Sequence, residues 1–437
     1  MATTGLIVRN ARVHPTFGRP PDASDILVDG DTITAIRPAG ELRANADGET
    51  REFDAQGQFL SPPLVDPHVH MDAVLTVGEP RHNESGTLIE GILTWAERKP
   101  FLTRDDVKSR AREAILWEVA QGTGLIRSHV DVCDPSLTAL RALIELREEM
   151  RDLVDLRLIA FPQDGILSFP NGKELMREAM ALGCDIIGGI PHYEWTREDG
   201  VEEVNFLFDL ARETGKPIDL HCDETDDEHS RFLEVVAART MRDGMQGRVV
   251  AGHTTAMGSY NDAYAFKLLQ ILKRAGVNVA CGHDSIMDPW YPLGRGSMLD
   301  ALSMLVHVAQ MTGRAELFRA YEMVTTNPAR AAEVPYGIAE GKPANFVVFD
   351  CADEAEAIRL RPAARLVVRN GRVVAETDPA RSVVHVDGSP QPVTFRRSGV
   401  GSDTVGAGGG ISGTDGSTPQ MAGAGPNRAW TEEGADR

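Results

Sequence analysis

The sequence predicts an α/β chain in which a (β/α) barrel is inserted into a small β domain, and three observations carry that prediction. Strand-like apolar runs alternate with amphipathic helices over residues 61–335, a pattern shared by βα barrels and doubly wound sheets. Short β-like segments stand at both chain ends, so residues 1–60 and 336–396 are expected to pair into one discontinuous β-sandwich. Histidines or an aspartate close four of the apolar runs, and in a parallel barrel the carboxyl ends of all strands converge on one face. The last observation favours the barrel.

Gly5 to Val13 and Asp25 to Ile36 read as strands, the latter with a turn at Asp29-Gly30-Asp31. Phe59 to Val65 is an apolar run that opens the barrel. Further strands are expected at Leu125–Val130, Leu156–Phe161, Asp185–Ile190, Pro217–His221, Arg248–Gly252 and Val277–Cys281, which makes seven. Helices are expected between them, at Pro135–Met150, Gly172–Leu182, Val201–Thr214, Glu228–Arg242 and Asp262–Ala275, with another at Ser297–Gln310. Ala344–Asp350 and Arg365–Val374 return to β material. Residues 397–437 are rich in glycine and poor in large apolar side chains, and are read as a disordered tail.

Composition narrows the function. A chain of 437 residues has room for one domain of about 250 to 300 residues and an accessory one. A formal charge of −20 argues against a nucleic-acid surface, which needs basic patches to neutralise phosphates. Five scattered cysteines without a C-x-x-C pair fit a reducing compartment. No run approaches the ~18 apolar residues of a membrane span, and no basic head followed by an apolar stretch opens the chain. A cytoplasmic protein acting on a small neutral molecule is expected, and self-association into a homo-oligomer is compatible with the sequence.

Chemistry centres on Pro67-His68-Val69-His70. Strand residues of alternate parity point the same way, so His68 and His70 can share one ion. His221, His253 and Asp284 end later strand-like runs and supply the ligand types a divalent metal needs. Glu224 lies three residues beyond His221, close to the metal without ligating it. The alternative for Glu224 is a solvated charge, since it stands in the acidic run 223–228. A different zinc deaminase class uses His-x-Glu with Pro-Cys-x-x-Cys; His192-Tyr193-Glu194 matches the first half, and the second half is missing. Walker, nucleophile-elbow and His-Glu-x-x-His motifs are also missing.

Taken together, His68-Val69-His70, Ser85-Gly86-Thr87-Leu88, Trp95-Ala96-Glu97-Arg98-Lys99, His129-Val130-Asp131, Phe161-Pro162-Gln163, His221-Cys222-Asp223-Glu224, Gly252-His253-Thr254-Thr255 and Gly282-His283-Asp284, with Asp288 to Gly294, resemble the bacterial cytosine deaminases of the amidohydrolase superfamily. The resemblance runs from Gly5 to about Thr377. It implies a distorted barrel holding one divalent ion, Fe(2+) or Zn(2+), on His68, His70, His221 and Asp284. It implies Glu224 as proton shuttle, and His253 with Asp284 orienting and deprotonating the attacking water. Gln163 would meet the carbonyl and N–H edge of a pyrimidine, and Leu88 and Trp290 would shape the pocket. His129, His192 and His283 carry no ligand role in the family and are read as structural.

Two departures from that family stand out. Ser285 follows Asp284 where the family has a second aspartate, which leaves substrate choice open and points toward a bulkier 5-substituent. Only residues 254–283 separate His253 from Asp284, room for one βα unit where the family has two. The Asp284 strand is expected to keep its place beside His68, with the gap partly closed by strand shifts and with reduced stability. The leading expectation is conversion of cytosine to uracil and ammonia. Deamination of another cyclic amidine, such as 5-methylcytosine, isoguanine or creatinine, is the alternative; an inactive metal-binding relic is the third.

Overall fold

Chain ends and chain middle build separate sheets. The computed structural model describes residues 5–14, 22–43, 50–393 and 395; the tail expected at 397–437 lies outside the described residues. Five strands come first, β1 (Leu6–Val13), β2 (Asp22–Asp29), β3 (Thr32–Pro38), β4 (Arg51–Asp54) and β5 (Phe59–Ser61). The alternating region follows as β6 (Leu64–Val69), α1 (Leu88–Arg98), α2 (Arg104–Ala120), β7 (Thr123–Asp131), α3 (Thr138–Met150), β8 (Asp155–Phe161), α4 (Gly172–Leu182), β9 (Ile186–Ile187), α5 (Arg197–Thr214), β10 (Ile218–Cys222), α6 (Phe232–Arg242), β11 (Val249–His253) and α7 (Asp262–Ala275). Next come α8 (Met298–Val308), α9 (Arg314–Glu322), α10 (Thr326–Ala331), β12 (Phe346–Phe349), α11 (Glu354–Leu360), β13 (Ala364–Arg369) and β14 (Arg372–Glu376). The chain divides into two units, Met1–Ala380 and Arg381–Arg437; within the second, β15 (Ser382–Val386) and β16 (Ser389–Val393) form an antiparallel hairpin.

Strands from both halves of the first unit share one sheet, in the order β14-β13-β12-β5-β1-β2-β3, with β4 added parallel to β1. The order β11-β10-β9-β8-β7-β6 makes a second sheet, and every adjacent pair in it is parallel. This is the parallel sheet of a (β/α) barrel, nearly closed. Its core is apolar because helix and strand periods coincide in phase: Ile126, Val130, Leu156, Leu158, Ile187 and Leu220 from the strands are buried with Leu140, Leu143, Met176, Leu207 and Leu268 from the helices. Each such side chain contributes about 1.5–3 kcal/mol of burial. Thr87, Thr103, Thr196 and Asn261 accept a backbone N–H at the starts of α1, α2, α5 and α7, satisfying donors the helix itself leaves open.

Six strands, not seven, form the barrel sheet. The expected strand at Val277–Cys281 is irregular chain that joins no sheet among the described residues. Its hydrogen bonds go elsewhere: Cys281 N–H donates to Met323 O, Asn278 Nδ2 to Asn327 O, and Asn327 Nδ2 to Val279 O. Val277 and Val279 are 53% and 54% exposed. Among the described residues β11 pairs only with β10, so the gap is not closed by shifted strands. Beyond it, Phe266 and Leu269 of α7 stand 68% and 51% exposed, apolar surface facing no layer. The expected Asp185–Ile190 strand shrinks to Ile186–Ile187 in β9, although Gly188 N–H still donates to Ala160 O and His221 N–H to Gly189 O.

Asp284 nevertheless keeps its expected place. It bridges Val69 in parallel register, its N–H donates to His68 O at 2.7 Å, and its carbonyl accepts from His70 N–H at 3.1 Å. Leu75 N–H to Ile286 O and Val77 N–H to Met287 O continue the stitching. Gly282 permits this approach, since a Cβ there would lie 2.7 Å from His68 Cβ.

Candidate active site

The carboxyl ends of β6, β10 and β11 and the Asp284 bridge converge. His68 lies in β6 and His70 one residue beyond it, His221 in β10, and His253 closes β11. His68 Nε2 is 3.4 Å and His70 Nε2 3.6 Å from Asp284 Oδ1, and His70 Nε2 is 3.1 Å from His221 Nε2. Ligand atoms of His68, His221, His253 and Asp284 all fall within 4.8 Å of one another. The five residues singled out in sequence therefore meet, His253 among them.

Backbone strain concentrates here. His253 (φ 62°) and Asp284 (φ 69°) both occupy the left-handed region, where a non-glycine residue costs of order 1–3 kcal/mol and persists only when its surroundings impose it. Asp223 (φ 53°) does the same, and its carboxylate accepts from Phe232 N–H, Leu233 N–H and the Ser230 hydroxyl. Asp223 is thereby committed to the start of α6. Glu224 is left facing the cavity, with Oε1 3.5 Å from His253 Nδ1.

Electrostatics fit a metal. Burial first, then neighbouring imidazoles, pull His221 well below the usual histidine value; burial brings His70 to about 3 and His253 to about 4. Neutral imidazole is the form that offers a lone pair to an ion. Burial opposes ionisation of Asp284, but its contact with His68 Nε2 and the attraction of the surrounding imidazoles prevail and hold its carboxyl well below the ordinary range; burial works against protonation of His68, and the same contact with Asp284 raises it. His221 Nδ1 and His253 Nε2 are buried without a hydrogen-bond partner. Such orphaned donors and acceptors are costly unless something binds them. Imidazoles plus one carboxylate suit zinc or iron. Glu224 moves the other way: burial first, then the charge of Asp284, raise it to about 8, so it carries a proton at neutrality.

The cavity above this cluster has a volume of about 920 Å³. Leu88, Gln163, Ser285 and Trp290 all line it. Trp290 lies over His70 at 5.9 Å between ring centroids and against Trp95 at 5.8 Å. Asp288 holds this arm by accepting the Trp290 and Tyr291 N–H groups, each at 3.0 Å. His192 also lines the cavity, whereas His283 turns its Nδ1 to Ser285 O at 2.8 Å.

Sequence reasoning missed what lies beneath the ligands. His129 is fully buried, its ring centroid 4.1 Å from that of His68, and neither ring nitrogen has a hydrogen-bond partner. Asp219 Oδ1 is 3.8 Å from His129 Nε2, and Asp219 Oδ2 accepts from Arg127 Nη2 at 2.6 Å. His68, His129 and Asp219 form a second group of potential ligands. Asp219 stands two residues before His221 and Arg127 two before His129; that shared parity was the signal available, since it turns all four inward.

Among the described residues no helix is long and apolar enough to cross a membrane. The solved structure of 5-methylcytosine deaminase from Klebsiella pneumoniae, liganded with 5-fluorocytosine, superposes with a TM-score of 0.80 at 40% identity, covering 86% of this chain and 98% of that one. N-isopropylammelide isopropyl amidohydrolase of Pseudomonas sp. (strain ADP) is 28% identical over 85% of this chain and 98% of its own length. Pterin deaminase of Rhizobium rhizogenes is 26% identical over 82% and 89%. The amidohydrolase family profile matches residues 51–273 and 267–375, two pieces that meet within α7, just before the segment that fails to become a strand. With the profile spanning the barrel and every ligand-bearing segment, this chain belongs to the amidohydrolase family.

Proposed function

We propose that the protein is a metal-dependent aminohydrolase that replaces the exocyclic amino group of a free pyrimidine base by oxygen, acting on cytosine or a 5-substituted cytosine and releasing ammonia. The observation that carries this reading is the meeting of four imidazoles and Asp284 with a protonated Glu224 at the floor of one cavity. His68, His70, His221 and Asp284 would hold one divalent ion, iron or zinc, which when bound supplies Lewis acidity and lowers the pKa of water.

The remaining roles belong to the chain. Glu224 delivers its proton to the ring nitrogen beside the carbon under attack. His253 and Asp284 orient the incoming water and pass on its two protons, one restoring the proton Glu224 gave up and the other going to the departing amine, so that amidine and water become amide and ammonia. Gln163, at the cavity wall, offers a donor and an acceptor to the base edge. Leu88 and Trp290 confine the ring, and the burial of both the imidazole floor and Trp95 behind Trp290 keeps water off that face.

Ser285 is buried at the cavity wall beside Asp288. As a small neutral residue it leaves space near the ring, and the likeness to a 5-methylcytosine deaminase supports a preference for the 5-substituted base. Metal-loaded protein should release ammonia from a panel of cytosine, 5-methylcytosine, isoguanine and creatinine, with kcat/KM higher for 5-methylcytosine than for cytosine. No release from any pyrimidine would overturn the reading. The unpaired edge of β11 favours a second one, an inactive metal-binding relic, which a tightly bound ion without turnover would support.

A further inference from the structure

Gln163 stands at the start of the loop that joins β8 to α4, residues 162–171. A loop of this length does not by itself aim a side chain. Two charges from elsewhere in the chain, the largely covered Lys99 and the buried Glu194, grip it. Lys99, in the turn that follows α1, places Nζ 2.6 Å from Asp164 Oδ2, 2.8 Å from Asp131 Oδ2 and 3.5 Å from Cys133 O. Asp131 is in turn immobile: Trp95 Nε1 donates to its Oδ2 at 3.0 Å, Cys133 N–H donates to its Oδ1 at 2.8 Å, and its own N–H donates to Asp72 Oδ2 at 2.8 Å. Lys99 thus ties the residue next to Gln163 to the end of β7.

Glu194 grips the other side. Its Oε1 accepts from Ile166 N–H at 2.6 Å and Leu167 N–H at 2.8 Å, and its Oε2 from Ser168 N–H at 2.9 Å and Ser168 Oγ at 2.7 Å. A carboxylate has about four acceptor sites; the loop supplies three N–H groups and one hydroxyl, and the buried Glu203 carboxyl also hydrogen-bonds to Glu194. Glu194 is therefore committed to holding the loop, although it borders the cavity. Between the two grips, Gly165 turns with φ 84°, and a Cβ there would lie 2.3 Å from Ser168 Oγ and 3.0 Å from Glu194 Oε1.

We propose that Lys99 and Glu194 are positioning residues that fix Gln163 toward the substrate by holding loop 162–171 from its two sides. The kinetic consequence rests on the proposed deamination; the holding itself is measurable without turnover. Hydrogen exchange on the full-length, metal-loaded protein should show about tenfold faster exchange at 166–168 in Glu194→Gln, the loss of charge-assisted bonds being worth about a factor of ten. Lys99→Met should speed exchange over 163–165 by a similar factor. With 5-methylcytosine or cytosine both variants should raise KM about tenfold while kcat changes by less than about threefold, the pattern of lost uniform binding. Lys99→Arg, which can still span Asp131 and Asp164, should restore most of both, and a thermal melt verifies that each variant is folded.

Unchanged exchange in 162–171 in folded variants overturns the proposal. So does a fall in kcat at constant KM, or a failure of Lys99→Arg to rescue while Lys99→Met remains folded. If the unmutated protein deaminates nothing, the functional reading fails separately, and the exchange data alone decide whether Lys99 and Glu194 hold the loop.

Discussion

Replacing Arg127 by methionine tests the pair that supports the ligand cluster from below. Arg127 and Asp219 are buried almost completely and joined by a 2.6 Å bond, with no water-facing atom on Asp219. Burial drives the Asp219 carboxyl above its ordinary value, with Arg127 the largest opposing influence. Arg127→Met therefore leaves a buried carboxylate beside His68 and His129 without its counter-charge, a loss of about 3–5 kcal/mol for breaking such a pair from one side. Unfolding entropy of about 2 cal/mol/K per residue, over the described part of a unit ending at Ala380, converts that into a fall in Tm of roughly 5 °C. The double variant Arg127→Met/Asp219→Leu removes both charges and should recover most of the loss, because a pair replaced by apolar groups of similar volume is close to neutral. Thermal melts and urea titrations of the metal-free proteins give both numbers. A single variant that loses less than about 1 kcal/mol, or a double variant no more stable than the single, would refute the argument that this charge is held chiefly by Arg127.

Glu224→Gln should lower kcat by on the order of 10²-fold or more with the ion retained, whereas His221→Ala should lose the ion; metal analysis beside ammonia release separates the two, and full activity in Glu224→Gln would remove it from the mechanism. Glu203 is fully buried, and burial first, then Glu194, hold its carboxyl well above its ordinary 4.5, while its Oε1 accepts from Ile190 N–H. The folded state binds that proton more tightly than the unfolded one, so this contribution to stability is fully present below about 4.5 and is lost as pH climbs toward the folded value; Glu203→Gln should flatten the slope of stability against pH, and an unchanged slope counts against it. A βα unit inserted between Gly276 and Val277 should raise Tm by giving β11 a second neighbour and covering Phe266 and Leu269; an unaltered Tm in a folded insertion variant would mean that the open edge costs nothing.

Much of the site was legible in the sequence because its ligands obey a local rule. His68, His70, His221 and His253 each sit at or just past the carboxyl end of a short apolar run, and strand parity with barrel geometry sends such residues to one place. The helices α4 and α7 were likewise local matters, bounded by apolar period and, for α7, by Asn261 and Gly276 at its two ends. The shortness of the span from His253 to Asp284 was visible as a bare count of residues. What that shortness does to the sheet was not. Val277 to Cys281 has strand composition, yet a strand exists only where a neighbour accepts its hydrogen bonds, and here the partners are the segment at Met323 and Asn327 rather than β11. Asp284 holds its position through backbone bonds to His68 and His70 more than two hundred residues earlier in the chain. The pair Arg127–Asp219 and the grips of Lys99 and Glu194 on the Gln163 loop are also long-range. Composition marks such charges as surface residues by default, and only the packing of β7 against β8 and of the turns after α1 and β9 around them makes them buried and paired.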